Sequence, residues 1–66
     1  MCLLKVYIES GSADRKIVAQ NIALVRIEGK SVRLIDVESK EATLTNVEPL
    51  LIDTLNSILI LKRSNS

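Results

Sequence analysis

The stretch Ile58-Leu59-Ile60-Leu61, near the end of the chain, consists of four consecutive large aliphatic residues. A strand that alternates apolar and polar residues has one buried face, whereas an unbroken apolar strand needs cover on both faces. We therefore expect one face of this strand to line the interior of a barrel or sandwich. The other face would be covered by a second subunit or, alternatively, by the chain's own loops.

The segments before this stretch predict further short strands. Leu4, Val6 and Ile8 alternate with neighbours that can meet solvent, which is the period of two of a half-buried strand. Turn signals recur every ~8–10 residues. The pattern predicts an all-β fold, a small antiparallel β-barrel or sandwich of about seven short strands. The predicted strands cover residues 3–8, 15–19, 22–28, 32–37, 41–45, a segment from 47 onwards, and 58–61.

Three turns are expected between these strands. Gly29, within residues 28–31, gives the clearest hairpin signal because glycine readily adopts positive φ. Gln20-Asn21 is expected to reverse the chain between the second and third strands. Asn56-Ser57 is expected to form a two-residue hairpin before the last strand.

Side-chain direction is also predicted at two strands. Val32 and Leu34 would share one face while Ile35 and Val37 share the other, which indicates a bulge or burial on both faces. In the following strand, Ala42 and Leu44 are expected to point inward.

Length and composition predict a single domain spanning residues 1–66, with residues 62–66 as a frayed tail. A domain of this size buries only about 60% of the surface of its unfolded chain, so its stability is marginal. The chain contains 8 Ile, 10 Leu and 6 Val but one aromatic residue, and one cysteine cannot form an internal disulfide. This much aliphatic surface on so short a chain predicts a homodimer.

Several classes of protein are disfavoured by what the sequence lacks. Without histidine there is no Ser-His or Cys-His pair, and the two glycines are isolated, so an enzyme is not expected. The net charge of +1 and the single aromatic residue, Tyr7, argue against a nucleic-acid partner. No apolar run reaches the roughly 18 residues of a membrane helix. A chain with a reduced thiol and no export signal is expected to be cytoplasmic.

The lone thiol, Cys2, is the candidate for metal binding. Removal of Met1 would leave an α-amine and a thiol on one residue, able to chelate a metal together with the backbone amide of Leu3. Nitrogen and thiolate donors suit Ni(II) or Cu(II), whereas zinc prefers four side-chain ligands. Two chains could supply two thiolates and two amines to a shared site. A buried, inert cysteine is the alternative interpretation of the same residue.

The chain resembles the small nickel-binding CooT proteins. The resemblance rests on the opening Met1-Cys2-Leu3 followed by Val6-Tyr7-Ile8, on Asn21-Ile22-Ala23, and on the late aliphatic hairpin over residues 52–61. It implies a β-barrel-like homodimer that binds Ni(II) at Cys2 and at the backbone amide of Leu3. It also implies a role in the maturation of nickel carbon monoxide dehydrogenase, with that enzyme or its maturation proteins as partners.

Two other functions stay open at this point. Chains that look like this one are also described as predicted RNA-binding proteins, and small β-barrels can stack bases on aromatic side chains over a basic groove. A protein-interaction module without metal, which docks on a larger enzyme through its aliphatic surface, is the second alternative.

Overall fold

The computed structural model describes residues 3–10 and 14–64. Within these residues the chain forms six strands and no helix, so the predicted all-β class is confirmed. The strands are β1 (Leu4–Ser10), β2 (Asp14–Glu28), β3 (Ser31–Asp36), β4 (Glu41–Thr45), β5 (Val47–Asp53) and β6 (Ile58–Arg63).

All six strands belong to one curled sheet with the order β4-β3-β2-β1-β6-β5. Neighbouring strands are antiparallel except β1 and β6, which run parallel. The predicted antiparallel arrangement is therefore present at four of the five strand pairs, and the pair β1–β6, where the first and last strands meet in the middle of the sheet, is parallel. The edge strands β4 and β5 are joined through Asn46 alone, so the sheet curls into a half-barrel.

Six strands replace the predicted seven because no reversal occurs at Gln20-Asn21. Asn21 adopts a φ of 57°, but the chain continues through it as a single 15-residue strand, β2. The first part of β2 pairs with β1 and the second part with β3, and Ile22 pairs with both. Register shifts on either side of this position indicate bulges, which bend a strand without reversing it.

The hairpin at Gly29 is confirmed: Glu28 pairs with Ser31, and Gly29 has a φ of 58°. The hairpin at Asn56-Ser57 is longer than predicted. Asp53 pairs with Ile58, so the loop contains the four residues 54–57.

The core occupies the inner face of the sheet. It is a cluster of eight buried aliphatic residues, and the partly buried Leu44 packs against it as expected. Ala42 also lies on the inner face, since it pairs with the core residue Leu34, but it is exposed because β4 is an edge strand of the open half-barrel. The cluster contains Val6, Ile8, Ile22, Val32, Leu34, Val47, Leu59 and Leu61.

The last strand is buried on both faces, as predicted. Leu59 and Leu61 belong to the inner cluster, while Ile60 points to the opposite face and is still only 3% exposed. Burial of Ile60 is therefore achieved within a single copy of the chain. The predicted fraying from residue 62 is wrong for Lys62 and Arg63, which extend β6.

Candidate metal-binding end of the sheet

The two predicted nickel ligands lie at the start of the chain. Cys2 lies outside the described residues. Leu3 is the first described residue; it is half-buried and directly precedes β1. Since β1 pairs with β2 on one side and β6 on the other, the amide of Leu3 is attached to an interior strand. Interior strands have hydrogen-bonded neighbours on both sides, which restrains their ends more than the ends of an edge strand.

The start of β1 lies at the same end of the sheet as two turns. Leu4 pairs with Ile22, which pairs in turn with Asp36 at the end of β3. On the other side, the backbone N–H of Lys5 donates to the carbonyl of Ser57 at 3.0 Å. The chain leading into β1 is therefore flanked by the turn after β3 and by the loop between β5 and β6.

Each of these turns contains a carboxylate that accepts local hydrogen bonds. Asp36 accepts the backbone N–H groups of Glu38 at 2.8 Å and of Lys40 at 2.9 Å. Asp53 accepts the backbone N–H of Asn56 at 3.0 Å and its side-chain amide at 2.9 Å.

The bonds from Asn56 hold the pKa of Asp53 below its usual value, because they favour the ionised carboxylate. Both carboxylates thus act first as turn-stabilising groups. No group of three or more Cys, Asp or Glu side chains is close enough to hold a metal ion within residues 3–10 and 14–64.

The outer face of the sheet, meaning the face opposite the core cluster, has two different halves. Over the second part of β2, β3 and β4 it is charged. Arg33 contacts Glu28 at 3.7 Å and Glu41 at 3.6 Å, and Arg26 contacts Glu28 at 3.8 Å. These two arginines are therefore accompanied by two glutamates, and this half of the face offers no excess of positive charge to a nucleic acid.

The Nε atom of Arg33 is buried and has no hydrogen-bond partner within the part of the chain that the structure describes. Its contact with Glu41, at 3.6 Å, is slightly longer than a hydrogen bond and is therefore electrostatic.

The other half of the outer face carries a row of apolar residues across four strands. Ile17 on β2 lies opposite Tyr7 on β1, Tyr7 opposite Ile60 on β6, and Ile60 opposite Leu51 on β5. Ile17 and Leu51 are 45% and 46% exposed. This row could not be predicted from the sequence, although the alternation of Tyr7 with the core residue Val6 places Tyr7 on the outer face. Its neighbours on the sheet depend on the parallel pairing of β1 with β6.

Comparison of the chain with protein-family models gives no match, and comparison with curated proteins gives none either. Among the described residues, no helix has the length and apolar character needed to cross a membrane.

Proposed function

We propose that this protein is a Ni(II)-binding accessory protein, a metallochaperone or nickel store, that holds its metal at Cys2 of a homodimer. The single observation that supports this function best is the Met1-Cys2-Leu3 opening directly ahead of β1. It combines the only thiol of the chain with a backbone attached to an interior strand. The resemblance of the opening to that of the nickel-binding CooT proteins supports the same choice.

In this function Cys2 contributes its thiolate and, after removal of Met1, its α-amine, while Leu3 contributes its backbone amide. Thiolate and nitrogen donors favour Ni(II) over Mg²⁺ or Ca²⁺, which prefer oxygen. Because both the thiol and the amine lose protons on coordination, binding releases protons and strengthens as pH rises toward their usual pKa values of about 8 to 8.5.

The client of this nickel protein is carbon monoxide dehydrogenase or one of its maturation proteins, in the cytoplasm. This part of the proposal rests on the resemblance alone. A direct test is the nickel content of carbon monoxide dehydrogenase matured with the wild-type chain and with Cys2→Ser. Equal nickel content in both would contradict this client.

The experiment for metal binding is a Ni(II) titration of the untagged protein, with its N-terminus determined by mass spectrometry. Calorimetry and absorption would be recorded in parallel for the wild type and for Cys2→Ser, a near-isosteric change that removes the thiolate. We expect a thiolate-to-nickel charge-transfer band that saturates at a fixed ratio in the wild type and is absent in the variant. Equal affinity of both proteins would disprove the metal site.

A protein-interaction module without metal is the second candidate, and the exposed aliphatic residues of one region favour it. Leu50, Leu51 and Ile52 on the edge strand β5 are 48%, 46% and 60% exposed, and Leu55 in the following loop is 91% exposed. This function predicts that client binding persists in Cys2→Ser and is lost when Leu55 is changed to a charged residue. A nickel carrier that docks on its client would combine both functions.

A further inference from the structure

Four charged residues form a second row across the outer face, next to the apolar row. Glu48 on β5 lies opposite Lys62 on β6, Lys62 opposite Glu9 on β1, and Glu9 opposite Arg15 on β2. Directly paired residues of neighbouring strands project their side chains to the same face of a sheet. From β5 to β2 the row therefore alternates negative, positive, negative, positive. None of these residues takes part in an ion pair within 4 Å among the described residues.

This alternation makes the row complementary to its own image under a two-fold rotation. A two-fold axis parallel to the strands, between β6 and β1, exchanges β6 with β1 and β5 with β2. When two copies pack face to face about this axis, Glu48 faces Arg15 of the partner subunit and Lys62 faces Glu9 of the partner subunit. Each contact occurs twice in a symmetric interface, which gives four pairs of opposite charges.

The apolar row matches itself about the same axis. Leu51 faces Ile17 of the partner subunit, so the two exposed ends of the row cover each other, and Ile60 faces Tyr7 of the partner subunit. Face-to-face packing of two sheets about 10 Å apart is a common arrangement, with strand directions within about 30° of each other.

We propose that the outer face of β5, β6, β1 and β2 binds a second copy of this chain about a two-fold axis parallel to β1. The charge pattern favours a second copy of this chain as the partner. A row of alternating charges with an even number of members is complementary to its own image under the two-fold rotation. A different protein would need the same spacing and order of charges to fit equally well.

This arrangement has a consequence for the metal site, which rests on the proposed function. A two-fold axis parallel to the strands keeps the strand direction, so both β1 strands begin at the same end of the dimer. With sheets about 10 Å apart, the two Leu4 Cα atoms would be on the order of 10 to 15 Å apart. Two residues of extended chain reach about 7 Å. Cys2 of one copy and Cys2 of the partner subunit are then within reach of one shared metal ion.

Two charge rearrangements of identical net charge test the interface. Glu9→Lys with Arg15→Glu changes the row to negative, positive, positive, negative, which places like charges opposite each other across the interface. Glu9→Lys with Lys62→Glu changes it to negative, negative, positive, positive, which stays self-complementary. The first variant has one like-charged neighbouring pair within its own sheet and the second has two. The second variant should therefore be the less stable of the two folds. If only the first variant loses the dimer, destabilisation of the fold is not the cause.

The measurement is sedimentation equilibrium of the metal-free proteins over a range of concentrations, with thermal unfolding of each variant to verify folding. We expect the wild type and the second variant to dimerise, and the dissociation constant of the first variant to rise on the order of 10- to 100-fold. A folded second variant that is monomeric would overturn the proposal. The same conclusion would follow from a first variant as dimeric as the wild type, or from a wild type that stays monomeric and binds only another protein.

Nickel binding is measured separately, so that the two proposals can fail independently. A metal-free dimer with the expected charge dependence, but without thiolate-bound nickel, would support the interface and contradict the metal site. Conversely, nickel binding with the same affinity and ratio in the monomeric first variant would show that the site does not span two copies. That result would overturn the shared arrangement of the two N-termini.

Discussion

Val47 donates its backbone N–H to the carbonyl oxygen of Lys30 at 3.0 Å, which connects the edge strand β5 to the β2–β3 hairpin. The two residues are far apart in the order of strands, since β5 is the last strand of the sheet and the hairpin lies near its other edge. This bond therefore holds one corner of the half-barrel closed. Val47 is also 1% exposed and belongs to the core cluster.

The residue that makes this corner possible is Asn46, the single link between β4 and β5. It has a φ of 57°, and its carbonyl accepts the backbone N–H of Ser64 at 2.8 Å. Asn46→Val should destabilise the fold by about 1 to 2 kcal/mol or more, because a β-branched residue is strained at positive φ. Asn46→Gly, the matched control, should change the free energy of unfolding much less. Urea unfolding of both variants measures the difference, and equal losses of stability would contradict the role of positive φ.

The hairpin at Gly29 allows a similar comparison. Apart from Gly29 and its two chain neighbours, no heavy atom of the described residues lies within 4 Å of the position that a Cβ atom on Gly29 would occupy, so an added methyl group meets no steric obstacle there. Its φ of 58° alone predicts that Gly29→Ala costs about 1 kcal/mol. Gly29→Asn should cost less, since asparagine tolerates the left-handed region. Thermal unfolding would reveal this order, and a more stable Gly29→Ala variant would contradict it.

Leu59 and Ile52 are direct partners on β6 and β5, yet they differ in burial. Leu59 is 1% exposed and Ile52 is 60% exposed. Leu59→Ala should lower the free energy of unfolding by about 2 to 5 kcal/mol through lost burial and the cavity that it leaves. Ile52→Ala should cost less than about 1 kcal/mol. Chemical unfolding at low temperature measures both, and comparable losses would show that the core extends to the rim of β5.

The lowered pKa of Asp53 predicts a contribution to stability that depends on pH. Because the pKa of this carboxyl is lower in the folded protein than in the unfolded chain, its contribution is fully present above the unfolded value. The contribution is lost as the pH falls through the folded value. Removal of the hydrogen-bonding amide in Asn56→Ala should raise the pKa of Asp53 toward its usual value. An NMR titration of the carboxyl carbon measures this directly, and an unchanged pKa would exclude the side-chain amide of Asn56 as the cause.

Local features of the fold could be predicted from the sequence. The alternation of Leu4, Val6 and Ile8 identified a strand and its buried face, and Val6 and Ile8 are indeed core residues. Gly29 located its hairpin because positive φ is a property of the residue and its immediate neighbours. Likewise, the run from Ile58 to Leu61 indicated burial on both faces, since the side-chain period of a strand is two.

The candidate site could be predicted only in part. The type of donor at Cys2 follows from its side chain, and its distance along the chain from β1 follows from the sequence. The sequence did not predict which turns lie beside this end of the chain, because the turns at Asp36 and Asp53 are brought there by the pairing of strands that are distant in the sequence. The charged row was missed for the same reason: its members lie up to 53 positions apart, from Glu9 to Lys62.

The sequence by itself determined the all-β class, the positions of most strands and part of the core, including Val6 and Ile8. These depend on side-chain period and on local backbone preference, which act over a few residues. Only the tertiary structure decided that β2 continues through Asn21 and that β1 pairs in parallel with β6. Both outcomes depend on contacts between segments that are distant in the chain, because a strand becomes stable only against the neighbour that satisfies its backbone hydrogen bonds and covers its apolar face.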